Sequence, residues 1–158
     1  MSAQSPKPPP RLLWFRRDLR LADLPALAEA GADGAEVLAC YVLDPRLAGA
    51  GERRLQFLYD SLRELSAALD GRLLVTRGRP ETRIPNLVKQ IGASSVHVSA
   101  EFTPFGVRRD TAVRAALGDV ELVETGSPYL VSPGRVTKPD GTPYQVFTPY
   151  YRRWVEHG

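Results

Sequence analysis

Short apolar segments alternate with amphipathic ones along the first 125 residues of this 158-residue chain. Five of the segments are rich in β-branched and long aliphatic side chains and show almost no polar alternation. Such runs are typical of strands that are buried on both faces of a parallel sheet. The predicted strands are Leu12–Phe15, Glu36–Leu43, Arg72–Thr76, Ser95–Ser99 and Val120–Val123.

Amphipathic segments lie between these strands. The longest has leucines three or four residues apart, from Leu55 to Leu69, which places them on one face of a helix. Pro85 lies near the predicted start of a shorter helix, where proline is tolerated. The shorter helices are predicted at Leu24–Ala30, Thr82–Ile91 and Arg108–Leu117. Alternation of strands and helices predicts an α/β fold, a doubly wound, Rossmann-like five-stranded parallel sheet with helices on both faces.

The alternation stops after Thr125, and five prolines interrupt the remaining sequence. We therefore predict a disordered, proline-rich leader over residues 1–10, an α/β domain over 11–125 and an irregular connector over 126–158. The connector ends in Phe147–Trp154, which is rich in aromatic and arginine side chains. We expect this segment to pack against another part of the protein.

Composition narrows the functional classes. A single cysteine, Cys40, excludes an internal disulfide and favours a reducing, cytoplasmic location. No apolar run approaches the roughly 18 residues that a membrane span needs, so we expect no membrane association. The net charge of +3 is only a weak indication of a polyanionic partner. We expect a monomer.

The sequence contains no Walker A loop, GxGxxG, CxxC or HExxH motif, and no nucleophile–base pair can be proposed. We therefore predict no catalytic residue and no metal ligand in this chain. His97 and Cys40 fall within predicted strands and are interpreted as core residues.

Arg16–Asp23 carries three arginines and two aspartates immediately after the first predicted strand. In a doubly wound sheet this is the edge at which ligands bind. One interpretation is a network of ion pairs in which Asp23 caps the following helix. The other interpretation is an arginine cradle for an anion.

Six segments, in order, resemble the family of DNA photolyases and cryptochromes. Together they extend over almost the whole chain from Arg11 onward. Leu24 departs from the family pattern, which has asparagine there. The segments are Trp14–Leu27, Arg53–Leu62, Gly78–Pro80, Arg109–Asp110, Pro133–Gly134 and Tyr144–Tyr150.

The resemblance implies a two-domain protein in which an α/β domain holds an antenna chromophore and a helical domain binds FAD. The chain ends at Gly158, where the connector to the helical domain would begin. We therefore expect the N-terminal antenna domain of a deoxyribodipyrimidine photolyase, which repairs cyclobutane pyrimidine dimers by light-driven electron transfer from FAD. UV-damaged DNA and FAD would bind the missing C-terminal domain, and this fragment alone is predicted to be inactive.

Two alternatives remain. The chain is equally compatible with the corresponding domain of a cryptochrome, a blue-light photoreceptor that is not an enzyme. The other alternative is a free-standing α/β nucleotide-binding protein. In the photolyase interpretation, the arginines and aspartates after the first strand act as a scaffold of ion pairs and helix caps.

The resemblance also implies which antenna chromophore is bound. Folate-binding relatives have an Asn–Glu pair where this chain has Phe105 and Gly106, so deazaflavin or FMN is favoured over folate. Thr103 departs from the deazaflavin pattern, which has a carboxylate there. The implied chromophore site consists of Leu43, Asp44, Arg54, Glu101 and Phe105. The alternative is an empty pocket in which these are ordinary surface residues.

Overall fold

The computed structural model describes residues 7–157. The first six positions of the predicted leader therefore lie outside the described residues. The chain divides into two compact units, Met1–Gly126 and Ser127–Gly158. Within the described residues, no helix combines the length and the apolar character that crossing a membrane requires.

The first unit contains a five-stranded sheet in which every pair of neighbouring strands is parallel. The strands are β1 (Arg11–Phe15), β2 (Val37–Leu43), β3 (Leu73–Arg77), β4 (Ser95–Val98) and β5 (Glu121–Glu124). Their order in the sheet is β3-β2-β1-β4-β5, so the first strand along the chain lies at the centre. This order confirms the predicted doubly wound sheet.

Helices cover both faces of the sheet. Alternate side chains of each central strand point to opposite faces, so each face has its own hydrophobic core. In β1, Leu12 and Trp14 join the core that includes Ile84 and Val113. Leu13 and Phe15 join the opposite core, which includes Leu62. The helices of this unit are α1 (Pro25–Ala30), α2 (Glu52–Ala68), α3 (Pro80–Ile91) and α4 (Pro104–Leu117). Thus α1 and α2 cover one face, and α3 and α4 cover the other.

Two predicted helix starts were wrong, because α3 and α4 both begin earlier than their apolar periodicity indicates. Each starts at a proline, Pro80 or Pro104, whose fixed φ suits the first helical position. Pro85 consequently lies inside α3 and not near its start. Since proline has no N–H, it removes one intrahelical hydrogen bond there.

Asp23 does not cap α1, so that interpretation was also wrong. The capping position is Leu24, and no side chain accepts a hydrogen bond from the helix start. Asp23 instead adopts a left-handed backbone conformation with φ of 52°. Its main-chain carbonyl accepts hydrogen bonds from the Arg20 guanidinium.

The second unit contains a helix, α5 (Phe147–His157), in the segment predicted to be irregular. Pro149 does not prevent this helix, because it lies in the first turn, where no intrahelical N–H donor is needed. The aromatic side chains form a stacked row along α5. The ring centroids of Phe147 and Tyr151 are 5.7 Å apart, and those of Tyr151 and Trp154 are 6.4 Å apart. Packing of this row against another part of the protein stays a prediction.

Candidate functional site

Two adjoining cavities open at the carboxyl edge of the sheet. β1 lies between β2 and β4, so the chain connections diverge there and leave a crevice where ligands bind in folds of this type. The smaller cavity has a volume of about 80 Å³ and the larger one of about 170 Å³. Both are lined by Tyr41, Asp44 and Leu47.

A buried ion pair lies on the inner side of this edge. Arg16, which follows β1, donates from Nη1 to Asp110 Oδ2 of α4 at 2.5 Å, and from Nη2 to the main-chain oxygen of Ser99 after β4. Asp18 accepts from the Ser99 hydroxyl. Burial lowers the pKa of Arg16, and the nearby Asp110 carboxylate opposes that effect. Arg16 thus forms an ion pair, as predicted, but its partner is Asp110 of α4 and not an aspartate of the segment after β1.

Arg109 lies beside this pair and shares its carboxylate. Its Nε donates to Asp110 Oδ1 at 2.8 Å, and its buried Nη2 lies 2.8 Å from the same oxygen in an ion pair. The guanidinium carbons of Arg109 and Arg16 are each 5.0 Å from the centroid of the Trp14 ring. The indole therefore contacts two cations through favourable cation–π interactions.

Asp44 follows β2 and forms the outer side of the site with Arg46. The Asp44 carboxylate accepts from the main-chain N–H of Arg46 at 3.0 Å and from Nη2 of its guanidinium at 2.6 Å. Burial alone would raise the pKa of Asp44, but these hydrogen bonds outweigh burial and lower it. Arg46 also pairs with Glu81 at 3.0 Å and lies 5.5 Å from the Phe105 ring centroid. The guanidinium thus joins a carboxylate to an aromatic ring at the cavity edge.

Glu101 has a well-defined position between β4 and α4. Its carboxylate accepts from the main-chain N–H of Phe102 at 3.0 Å and of Thr103 at 3.2 Å, and it pairs with Arg17 at 3.4 Å. Burial opposes ionisation of Glu101, but hydrogen bonds from these two backbone groups outweigh it and lower the pKa. A Cβ at position 106 would lie 1.9 Å from Glu101 Cγ, so Gly106 leaves room for this side chain.

The structure brings together three of the five residues predicted to hold a chromophore. Asp44 lines both cavities, Leu43 lines the larger one and Phe105 the smaller one. Neither Glu101 nor Arg54 lines the two cavities: Glu101 pairs with Arg17, which does line the smaller one, and Arg54 is exposed in the first turn of α2. Roles in chromophore binding stay predictions for all five.

Sequence reasoning did not include Tyr41, Arg46 or Arg109 among the site residues. Arg109 was noticed only as part of a family motif, because nothing in its local sequence shows that α4 directs it toward β1. Asp44 and Arg46 are two residues apart, a spacing typical of a turn in which an aspartate accepts from the backbone. That spacing was the available signal for Arg46.

His97 and Cys40 are buried in strands, as predicted. Burial lowers the pKa of His97, and it raises the pKa of the Cys40 thiol to about 12. Among residues 7–157, no group of three or more His, Cys, Asp or Glu side chains is arranged to hold a metal ion.

Comparison with known proteins identifies relatives of the whole chain. Residues 11–158 match the family model for DNA photolyase. The deoxyribodipyrimidine photo-lyase of Streptomyces griseus is 38% identical over 93% of this chain and 34% of its own length. That of Synechococcus is 35% identical over 92% of this chain and 32% of its own length. The chain thus spans about a third of the length of the curated relatives it matches.

Solved structures give the same result. A class III photolyase from Agrobacterium tumefaciens is 31% identical with a TM-score of 0.89, covering 99% of this chain and 33% of its own. A cryptochrome from Synechocystis is 28% identical with a TM-score of 0.84, covering 97% of this chain and 34% of its own. A photolyase from Sulfolobus tokodaii, described with two FAD molecules, is 27% identical with a TM-score of 0.77, covering 90% of this chain and 33% of its own. The chain therefore belongs to the DNA photolyase family and corresponds to the N-terminal α/β domain of its members.

Proposed function

We propose that this chain is the antenna domain of a deoxyribodipyrimidine photolyase. The complete protein repairs cyclobutane pyrimidine dimers in UV-damaged DNA, using FAD held in a separate helical domain. The support is the family match over residues 11–158 together with relatives that bear this enzyme name. A monomeric, cytoplasmic protein belongs to the same proposal. Residues 1–158 alone are expected neither to retain stoichiometric FAD nor to repair dimers.

The antenna chromophore in this proposal is a flavin or deazaflavin bound at the two cavities. The observation that carries it is the combination of apolar walls, the Phe105 ring and the Asp44 carboxylate at the ligand-binding edge of the sheet. A relative from Sulfolobus tokodaii is described with two FAD molecules, with the implication of a novel light-harvesting cofactor, which favours a flavin-type antenna in this fold.

In this proposal each residue has a distinct task. Phe105 packs on the ring, Asp44 accepts from ring or ribityl donors, and Leu43 provides an apolar wall. Arg54 meets a ring carbonyl at the outer rim, and Glu101 holds the loop that presents Phe105. Each cavity is smaller than the roughly 300 Å³ of an ordinary small-molecule site, so a ring would occupy both across Asp44.

Reconstitution tests the proposal. The protein with its FAD-binding domain is incubated separately with deazaflavin, FMN and folate, and absorbance is recorded after removal of free ligand. A deazaflavin or FMN spectrum is expected, with binding weakened by Asp44→Asn and by Arg54→Ala. Arg53→Ala, an exposed neighbour on α2, is the matched control and should bind as the wild type does. A folate-only spectrum would overturn the assignment, and unchanged affinity in Arg54→Ala would remove Arg54 from the site.

A cryptochrome is the second candidate, favoured by the close likeness to the Synechocystis cryptochrome structure. Both candidates predict the same α/β domain, so the activity of the complete protein has to distinguish them. Illumination of dimer-containing DNA with the FAD-loaded protein should restore intact pyrimidines if the protein is a photolyase. Light-dependent reduction of FAD without any repair would favour the photoreceptor.

A further inference from the structure

Tyr41 lies near the carboxyl end of β2 and lines both cavities. Its neighbours in the sheet are Phe15 of β1 and Val75 of β3. The side chain is 9% exposed and belongs to the hydrophobic core that includes Leu62 of α2. Strand pairing on both sides thus holds the Tyr41 ring in place at a wall that the two cavities share.

The Tyr41 hydroxyl has no hydrogen-bond partner among residues 7–157. Its oxygen nevertheless retains solvent-accessible surface. The hydroxyl of a buried tyrosine usually has a hydrogen-bond partner, and a phenylalanine would fill the same core position without introducing a polar group. Since Tyr41 lines the two cavities, an acceptor for its hydroxyl would lie in them.

The charged side chains around Tyr41 are paired with one another. Each of those that line the smaller cavity has an ion-pair partner within the protein. The pairs are Arg16 and Arg109 with Asp110, Arg17 with Glu101, and Asp44 with Arg46. Because these charges compensate one another, the free hydroxyl of Tyr41 favours an uncharged ring that carries a hydrogen-bond acceptor.

The Tyr41 hydroxyl keeps its proton at neutral pH. Burial is the largest effect and raises the pKa of Tyr41, while the charge of Arg109 opposes this rise and that of Asp44 adds to it. A protonated phenol can donate one hydrogen bond. Flavins and deazaflavins carry carbonyl oxygens on their ring, and each of these oxygens is an acceptor for such a donor.

We propose that Tyr41 orients the antenna chromophore by donating its hydroxyl hydrogen bond to a carbonyl oxygen of the ring. This inference rests on the proposed flavin-type antenna and deepens it, because it adds a directional contact to the packing on Phe105. Packing on an aromatic face leaves a planar ring free to rotate in its own plane. One hydrogen bond from a tyrosine that the sheet holds in place selects a single orientation.

Removal of the hydroxyl alone gives the first test. Affinities of FMN and deazaflavin are measured for the FAD-loaded protein and for its Tyr41→Phe variant. The variant should bind roughly fivefold more weakly, as expected for the loss of one hydrogen bond. Its unfolding in urea without antenna ligand should be unchanged, because the hydroxyl has no partner within the described residues. Tyr151→Phe, at an exposed tyrosine of α5, is the control and should alter neither quantity.

Two results would overturn this role of Tyr41. The first is an unchanged affinity of Tyr41→Phe for both ligands, which would leave the flavin antenna itself intact. The second is a loss of stability in the ligand-free variant that accounts for the weaker binding, since the hydroxyl would then belong to the fold.

The infrared spectrum of bound FMN gives a second test, with the ring carbonyls labelled with carbon-13 to distinguish them from those of FAD. A hydrogen bond lowers the stretching frequency of a carbonyl, so one labelled band should lie at higher frequency in Tyr41→Phe than in the wild type. Identical spectra would contradict the hydrogen bond.

Failure of the flavin antenna can be distinguished from failure of the Tyr41 contact. If the protein binds folate and neither flavin type, the proposed antenna is wrong, and Tyr41→Phe is compared with the wild type for folate. The pterin ring also carries a carbonyl, so weaker folate binding by the variant would support the contact and equal binding would overturn it. Absence of binding of all three ligands would overturn both proposals.

Discussion

Two ion-pair clusters at the same sheet edge differ in their solvent exposure. The inner cluster (Arg16, Arg109 and Asp110) is buried, with side chains 10% exposed or less. In the outer cluster (Asp44, Arg46 and Glu81), the Arg46 side chain is 34% exposed. The inner cluster joins the end of β1 to α4 across 94 residues of sequence, whereas the outer one joins the turn after β2 to the first turn of α3 across 35 residues. We infer that the inner cluster holds this edge of the sheet in place, whereas the outer cluster allows side chains of the site to move.

Removing the inner carboxylate should have the largest effect. Asp110→Ala removes the carboxylate that pairs with both Arg16 and Arg109, and removing one partner of a buried ion pair costs about 3–5 kcal/mol. The free energy of unfolding, measured by urea denaturation, should fall by that amount. Asp119→Ala, an exposed carboxylate near the end of α4, is the control and should change stability by less than about 0.5 kcal/mol. A loss below 1 kcal/mol for Asp110→Ala would mean that the inner cluster does not fix the edge.

Gly106→Ala should have the next largest effect. The new Cβ would lie 1.9 Å from Glu101 Cγ and 2.9 Å from Thr103 Oγ1, so the Glu101 side chain must move. Overpacking of this kind costs about 1–3 kcal/mol, and thermal unfolding should detect it. Gly49→Ala is the matched control, because nothing lies within 4 Å of its added Cβ. Unchanged stability in Gly106→Ala would show that Glu101 is loosely held.

Acid should lower the stability of the protein by protonating carboxylates that lie outside the inner cluster. Hydrogen bonds lower the pKa of Asp44 and of Glu101 in the folded state, so both are stabilising when ionised. Their contribution is complete above the unfolded pKa and is lost as pH falls below about 4 through the folded values. The free energy of unfolding should therefore decrease between pH 7 and pH 3. The double variant Asp44→Asn/Glu101→Gln should show a smaller decrease than the wild type. An identical pH profile in the double variant would contradict the assignment.

The outer cluster should show the smallest effect. Glu81→Gln removes one partner of Arg46 and leaves the hydrogen bonds between Arg46 and Asp44 in place. Partly exposed ion pairs contribute about 0–1 kcal/mol, so unfolding in urea should change little. A loss as large as that of Asp110→Ala would remove the distinction between the two clusters.

The fold was largely predictable from sequence because strands buried on both faces carry continuous apolar runs. All five strands were located within one residue of their observed start. The helix starts at Pro80 and Pro104 were missed, although each is a proline at a position where its fixed φ favours the first helical residue. The C-terminal helix was missed because prolines were read as interruptions, although Pro149 lies in a first turn where it is compatible with a helix.

The site was less predictable, since its contacts connect distant parts of the chain. The family resemblance pointed to Asp44 and Phe105, which do line the cavities. It included Arg109 in a motif but not among the site residues, because the contact of Arg109 with Trp14 depends on how α4 packs over β1. The burial of Arg109 and its contacts with Asp110 and Trp14 appear only once the chain is folded.

The central position of β1 has a consequence for folding during synthesis. Leu12 pairs with Val96, so one edge of β1 stays open until β4 has been made. At about 5–20 residues per second, that delay lasts several seconds. An open apolar strand edge can pair with the wrong partner during this time. Arg16 also lacks its partner carboxylate until Asp110 has been synthesised. The ion pair at the carboxyl ends of the strands therefore forms only when α4 has been made.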